Sequence, residues 1–208
     1  MALIHRTTIT PTKVELLAGW LPTRPWYHGP AAPELVKAGG FRLDDPEGEV
    51  GIEFMVATEG TDAYLVPLTY RAAPLDGAEH ALVGTMEHGV LGTRWAYDGC
   101  HDPVLTAELA ALIEGRAAAQ AQSITDTPDR EVARGYTGAG PLPGFGAPVD
   151  TDESTEFAAA DDGLVLRLRR VLTPGSLPPA DAAGHVTGAW QQPDGTRARA
   201  LFAALQPR

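Results

Sequence analysis

Residues 92–113, GTRWAYDGCHDPVLTAELAALI, decide how this chain folds. Residues 93–97 alternate in the manner of a strand. Tyr97-Asp98-Gly99 reads as a turn that the Asp98 side chain itself serves. Asp102 then stands where an N-cap belongs, with Pro103 at the first helical position. Leu105, Leu109, Leu112 and Ile113 share one face of the predicted helix, residues 103–114, and Gly115 ends it. A strand running straight into a helix, with strand patterns on either side, predicts an α+β fold. The expected form is a curved antiparallel sheet wrapped on this long helix.

Working outward, Thr10-Pro11 opens a short helix with Pro11 at its first position and Thr12…Glu15 as a capping box. Val14, Leu17 and Leu21 share its inner face, and Pro22 stops it. Residues 22–40 are proline-rich and read as a loop carrying Trp26-Tyr27-His28. Two alternating runs follow, one of Val50, Ile52, Phe54 and Val56, the other of Tyr64, Val66, Leu68 and Tyr70, across a turn at residues 59–62. Residues 81–86 and 93–97 are shorter strands around a turn at 89–92. Residues 157–160, 164–172, 185–191 and 196–205 are strands, with Pro193-Asp194-Gly195 as a hairpin turn. This organisation gives residues 1–115 as an α+β unit and 116–154 as a Gly/Pro-rich extended connection. Residues 155–208 form a C-terminal β extension on the same sheet.

The composition excludes several functions. A net charge of −11 opposes nucleic-acid and anionic-membrane binding, which need clustered positive charge. Arg167, Arg169 and Arg170 alternate on a predicted strand and are expected on an exposed face. No run reaches the ~20 apolar residues of a spanning helix. The N-terminus lacks the apolar run and cleavage site of a secretory leader, so a cytoplasmic location is expected. With Cys100 as the single cysteine, no internal disulfide can form. Residues 138–146 hold four glycines, but Pro141 and Pro143 break any phosphate-cradling pattern.

Three segments carry a family resemblance: 13–29 (KVELLAGWLPTRPWYHG), 63–86 (AYLVPLTYRAAPLDGAEHALVGTM) and 92–113. In their order they resemble the N-terminal cap domain of actinobacterial maltokinases and related aminosugar kinases, over roughly residues 1–115. That resemblance implies a cystatin-like cap, no cofactor, and an association with trehalose, maltose and 1,4-α-glucan metabolism. The kinases follow their aromatic pair with a Gly-Gly-Lys-type stretch, whereas here His28-Gly29-Pro30 follows. Any role of that lysine does not carry over. Kinase activity is not expected, because the sequence has no asparagine to hold a metal and His101-Asp102 is followed by a helix. Glucan branching needs a barrel of ~250 residues, and neither that length nor the βα alternation is present.

Two sets of residues are candidate sites. Trp26, Tyr27 and His28 either form an aromatic platform for a sugar or partner, or plug the end of the sheet, the second being favoured. Glu79-His80, Glu87-His88 and His101-Asp102 place three histidines within 24 positions. If strands unite them, His80, Glu87, His88 and His101 are metal candidates, although no H-x-H or H-E-x-x-H spacing is present. Trp95 joins Trp26, Tyr27, His28, His88 and His101 as a ligand-binding candidate. Cys100 is expected as a small buried thiol. The leading expectation is a non-catalytic cap-like protein that binds a protein partner or itself. The alternative is a sugar- or metal-binding protein, or small enzyme, with a pocket between sheet and helix.

Overall fold

The computed structural model, which describes residues 8–122, 124, 127–161 and 163–208, is organised round one central hairpin. In chain order the described elements begin with β1 (Ile9–Thr10), α1 (Lys13–Trp20), β2 (Val36–Asp44), β3 (Gly51–Glu59) and β4 (Asp62–Arg71). There follow β5 (Leu82–His88), β6 (Gly92–Asp98), α2 (Pro103–Glu114), β7 (Gln120–Ala121), β8 (Ala133–Tyr136) and β9 (Val149–Asp150). The last four are β10 (Ser154–Ala158), β11 (Leu164–Arg169), β12 (Gly184–Gln191) and β13 (Arg197–Pro207).

β3 and β4 form the central hairpin, and both its faces are buried. Ile52, Phe54, Val56, Ala63 and Leu65 enter the larger core, with Leu105, Leu109, Leu112 and Ile113 of α2 and the C-terminal strands. Met55, Tyr64, Val66 and Leu68 enter a second core with Leu17, Trp20 and Leu21. The two apolar runs read from the sequence therefore face opposite sides. Burial on both sides is why apolar residues also fill positions between those of the two runs, as at Met55 of β3 and Leu65 of β4.

The strand order is β1-β5-β6-β4-β3-β2-β12-β13-β11-β10-β9, with β7 on β2 and β8 on β12, all neighbours antiparallel. The residues just after β11 return to β4. The Leu65 N–H donates to the Arg170 carbonyl at 2.9 Å, and the Leu172 N–H to the Ala63 carbonyl at 2.8 Å. The path β4-β3-β2-β12-β13-β11 thus closes on itself, with the larger core inside.

α2 has the bounds its caps predict. The Asp102 carboxylate accepts from the Val104 N–H at 3.0 Å, and Gly115, at φ 84°, turns its own N–H back to the Ala111 and Leu112 carbonyls. Arg71 of β4 also grips Asp102 in a two-point pair, at 2.7 Å each, which ties the helix start to the sheet.

Several expectations are corrected. α2 has 12 residues, about three turns, so there is no long helix for a cystatin-like sheet to wrap; the closed path forms around a core to which α2 adds one face. The capping box is present, but Thr12 is the N-cap and the helix starts at Lys13, leaving Pro11 before it. The proline-rich loop ends at Leu35, because β2 begins at Val36 and pairs with β3. The stretch 116–154 contains β7, β8 and β9. Their lengths of two to four residues are too short to show periodicity. Residues 123, 125 and 126 lie outside the described residues.

Candidate functional site

Two cavities among the described residues are lined by candidate polar side chains. The first is a groove of about 730 Å³ between the N-terminal half of α2 and residues 142–148, with Cys100 in its wall. Single 3₁₀ turns, Glu79–Ala81 and Gly99–His101, present His80 and His101 at its rim. His80 Nε2 lies 3.0 Å from His101 Nδ1, with the rings edge to face and 4.6 Å apart. One imidazole donates and the other accepts, so the pair is matched while both are neutral. Burial lowers the pKa of His101, opposed by Asp98 and helped by His80. The adjoining Cys100 thiol is pushed well above its usual range by burial, so it is a protonated thiol rather than a nucleophile.

Beneath this groove lies a buried ionic network. Arg170 Nη2 donates to both Asp98 oxygens at 2.8 and 2.6 Å, and Arg170 Nε donates to Thr155 Oγ1 at 2.7 Å. Thr155 Oγ1 in turn donates to Asp150 Oδ1 at 2.5 Å. The guanidinium also sits 4.8 Å over the Trp26 ring. Arg170 is 0% exposed, which overturns its expected place on an exposed face. Burial works against its charge, yet Asp98 prevails and holds it protonated. Asp98 serves its turn as expected, accepting from the Cys100 N–H at 3.1 Å, but the turn is only half of its role.

The second cavity, about 440 Å³, lies on the sheet face that carries Glu53, between β2–β6 and the start of α1. The chain's two lysines, Lys13 and Lys37, both pair with Glu53. Tyr70 Oη at 2.7 Å and Gln122 Nε2 at 3.0 Å also donate to it. Burial alone would raise the Glu53 pKa; the two ammonium groups outweigh it and hold it at about 2. Burial, reinforced by the same carboxylate, raises the Tyr70 pKa and keeps it protonated. Glu53 is thus a fixed anion, poorly suited to take a proton.

The sequence candidates fall into separate places. Trp26 and Tyr27 are buried and pack against Trp20 and Tyr64, with ring centroids 5.0 to 6.3 Å apart, so they plug the sheet rather than offer a platform. His28 is exposed, with Nε2 3.2 Å from the Asp152 carbonyl. Trp95 packs half-buried beside Ala78, Ala81 and Tyr97. His88 Nδ1 accepts from the Val90 and Leu91 N–H groups at 3.3 and 3.1 Å, and Glu87 accepts from Thr93 Oγ1, so both close the β5–β6 turn. His88 lines the second cavity, not the groove that holds His80 and His101. Among the described residues no three of His, Cys, Asp and Glu group so as to hold a metal.

Sequence reasoning missed Glu53 and the Arg170 pair. An acid between Ile52 and Phe54 in an apolar strand, in a chain with only two lysines, was the available signal for the first. Nothing local marks the second, because its partners are 72 residues apart.

Residues 20–102 match the family model of the maltokinase N-terminal cap domain. The matched stretch runs from the last residue of α1 through β2–β6 to the N-cap of α2. No curated protein matches the chain significantly.

Proposed function

We propose that this is a non-catalytic, cap-like cytoplasmic protein that works by binding a protein partner or a second copy of itself, near trehalose, maltose and α-glucan metabolism. The observation that carries the reading is the cap-domain match over residues 20–102, set beside polar groups that are committed to one another. Cys100 is a protonated thiol, Glu53 a locked anion, and Asp98 and Arg170 neutralise each other. In this reading residues 1–115 are the cap-like unit, 116–154 the connection and 155–208 the extension. The pathway rests on likeness to a domain and not on a site. Sedimentation velocity over a hundredfold concentration range tests self-association, and titration with a maltose-processing enzyme tests the partner. A chain that stays monomeric and binds no such enzyme sinks the proposal.

One observation favours a second reading, a small-molecule binder. His80 and His101 converge at the rim of a groove large enough for a ring-sized ligand. Thermal shifts with maltose, trehalose and divalent metals test it, because a ligand of the folded form raises the melting temperature. A saturable shift that His101→Ala abolishes favours this reading over the first.

A further inference from the structure

We propose that the cavity above Glu53 is a binding site for a small molecule with an oxyanion head, a phosphate or a carboxylate, on a compact apolar body. The argument starts from charge. The chain carries −11 overall, yet this cavity is lined by Lys13, Arg42 and Arg94. It is lined as well by three acids, Asp45, Glu49 and Glu53, and Lys13 is taken up by the last of these, which leaves the two arginines as its cations without a carboxylate partner among the described residues. Glu53 is matched by Lys13 and Lys37 together, and the Asp45 carboxylate accepts from the backbone N–H groups of Glu47, Glu49 and Val50. Glu49 remains, exposed at the rim.

Arg42 and Arg94 stand apart from that balance. Arg42 is the cross-strand neighbour of Glu53 on β2, and Arg94 is the cross-strand neighbour of Met86 on β6. Both are half-buried. Each donates to a backbone carbonyl, Nε of Arg42 to that of Ala121 at 3.3 Å and Nη1 of Arg94 to that of Thr93 at 3.4 Å. Among the described residues neither pairs with a carboxylate. A guanidinium withdrawn from water without a counter-ion is costly, and its planar fork matches phosphate and carboxylate oxygens. The two arginines reach one cavity from β2 and β6, with β3 and β4 between them. Met86 supplies apolar wall, and Gly51 leaves the floor open where a Cβ would press on the Tyr70 ring at 3.3 Å. Lys13 and Tyr70 are held in place by Glu53, so the site is organised before any ligand arrives.

The test is calorimetric titration of the full chain at low salt with phenyl phosphate, benzoate and benzyl alcohol. Saturable binding of phenyl phosphate or benzoate, and not of the neutral alcohol, is the expected result. The preferred anion names the head group. Arg42→Gln and Arg94→Gln should each weaken binding tenfold or more, while Arg167→Gln on the far strands leaves it unchanged. Amide chemical-shift mapping of the wild-type chain guards against a variant that misfolds, with the largest shifts expected around Gly51 and Arg94. No binding by either anion, equal binding of the alcohol, or shifts confined to the groove at His80 and His101 would overturn the proposal.

Discussion

Arg170 Nη2 lies 2.6 Å from Asp98 Oδ2, and both side chains are almost wholly removed from water. The pair joins the end of β6 to the residue after β11. At that same residue the backbone closes the ring of strands, accepting from the Leu65 N–H and donating to the Glu153 carbonyl. Backbone closure and charge pairing therefore depend on one position.

Removing half of this pair strands a charge in the core. Asp98→Ala is expected to destabilise the fold by about 3–5 kcal/mol in urea denaturation. The double variant Asp98→Leu with Arg170→Met should recover much of that loss, because two apolar groups leave no buried charge. A double variant no more stable than Asp98→Ala would show that the pair is not the source of the effect.

Glu53 predicts how the protein responds to acid. Its folded pKa of about 2 lies below the ordinary 4.5, so the unfolded chain binds its proton first. The stabilisation is therefore full above pH 4.5 and is lost as pH falls towards 2. A shift of that size corresponds to roughly 3 kcal/mol. In denaturant titrations from pH 6 to pH 2, the stability gap between wild type and Glu53→Gln should narrow by about that amount. A gap that stays constant across the window would contradict the assignment.

What the sequence made legible was local. The capping box at Thr12, the caps of α2 and the hairpins around Gly60 and Gly195 each rest on a few neighbouring residues, and the structure contains each of them. The closure of the ring was not readable, since it depends on Tyr64 meeting Val171 across more than 100 residues. The site candidates fared similarly. His80 and His101 meet because two separate turns are brought together, whereas Glu87 and His88, equally suggestive in the sequence, are used by their own hairpin. β2 was hidden because Gly39 and Gly40 interrupt its alternation, at the point where the strand shifts register against β3.

Gly40 is there for a steric reason that can be tested. Its φ is +119°, and a Cβ at this position would stand 1.9 Å from the Phe54 carbonyl oxygen, a backbone atom that cannot swing away. Gly40→Ala must distort β2 beside Phe41 and Leu43 of the larger core. The expected cost is about 3 kcal/mol or more, at the upper end for overpacking combined with backbone strain. Gly48→Ala, also at positive φ but with open space around it, should cost about 1 kcal/mol. Thermal melts of the two variants give the comparison, and equal losses would place the cost in φ alone.

The His80–His101 contact predicts a titration. Burial of His101, with His80 beside it, lowers its pKa from the ordinary 6.5, so the fold prefers the neutral ring. That contribution to stability is present above pH 6.5 and is lost as pH falls through the folded pKa. Asp98 and Asp150 pull the other way, and Arg170 adds to the lowering. NMR titration of the imidazole signals should therefore show His101 protonating below 6.5. His80→Ala should move that midpoint upward, because it admits water to the buried ring and removes a neighbour that helps to lower its pKa. An unchanged or lower midpoint in the variant would show that the groove alone, and not its partner imidazole, sets the proton affinity of His101.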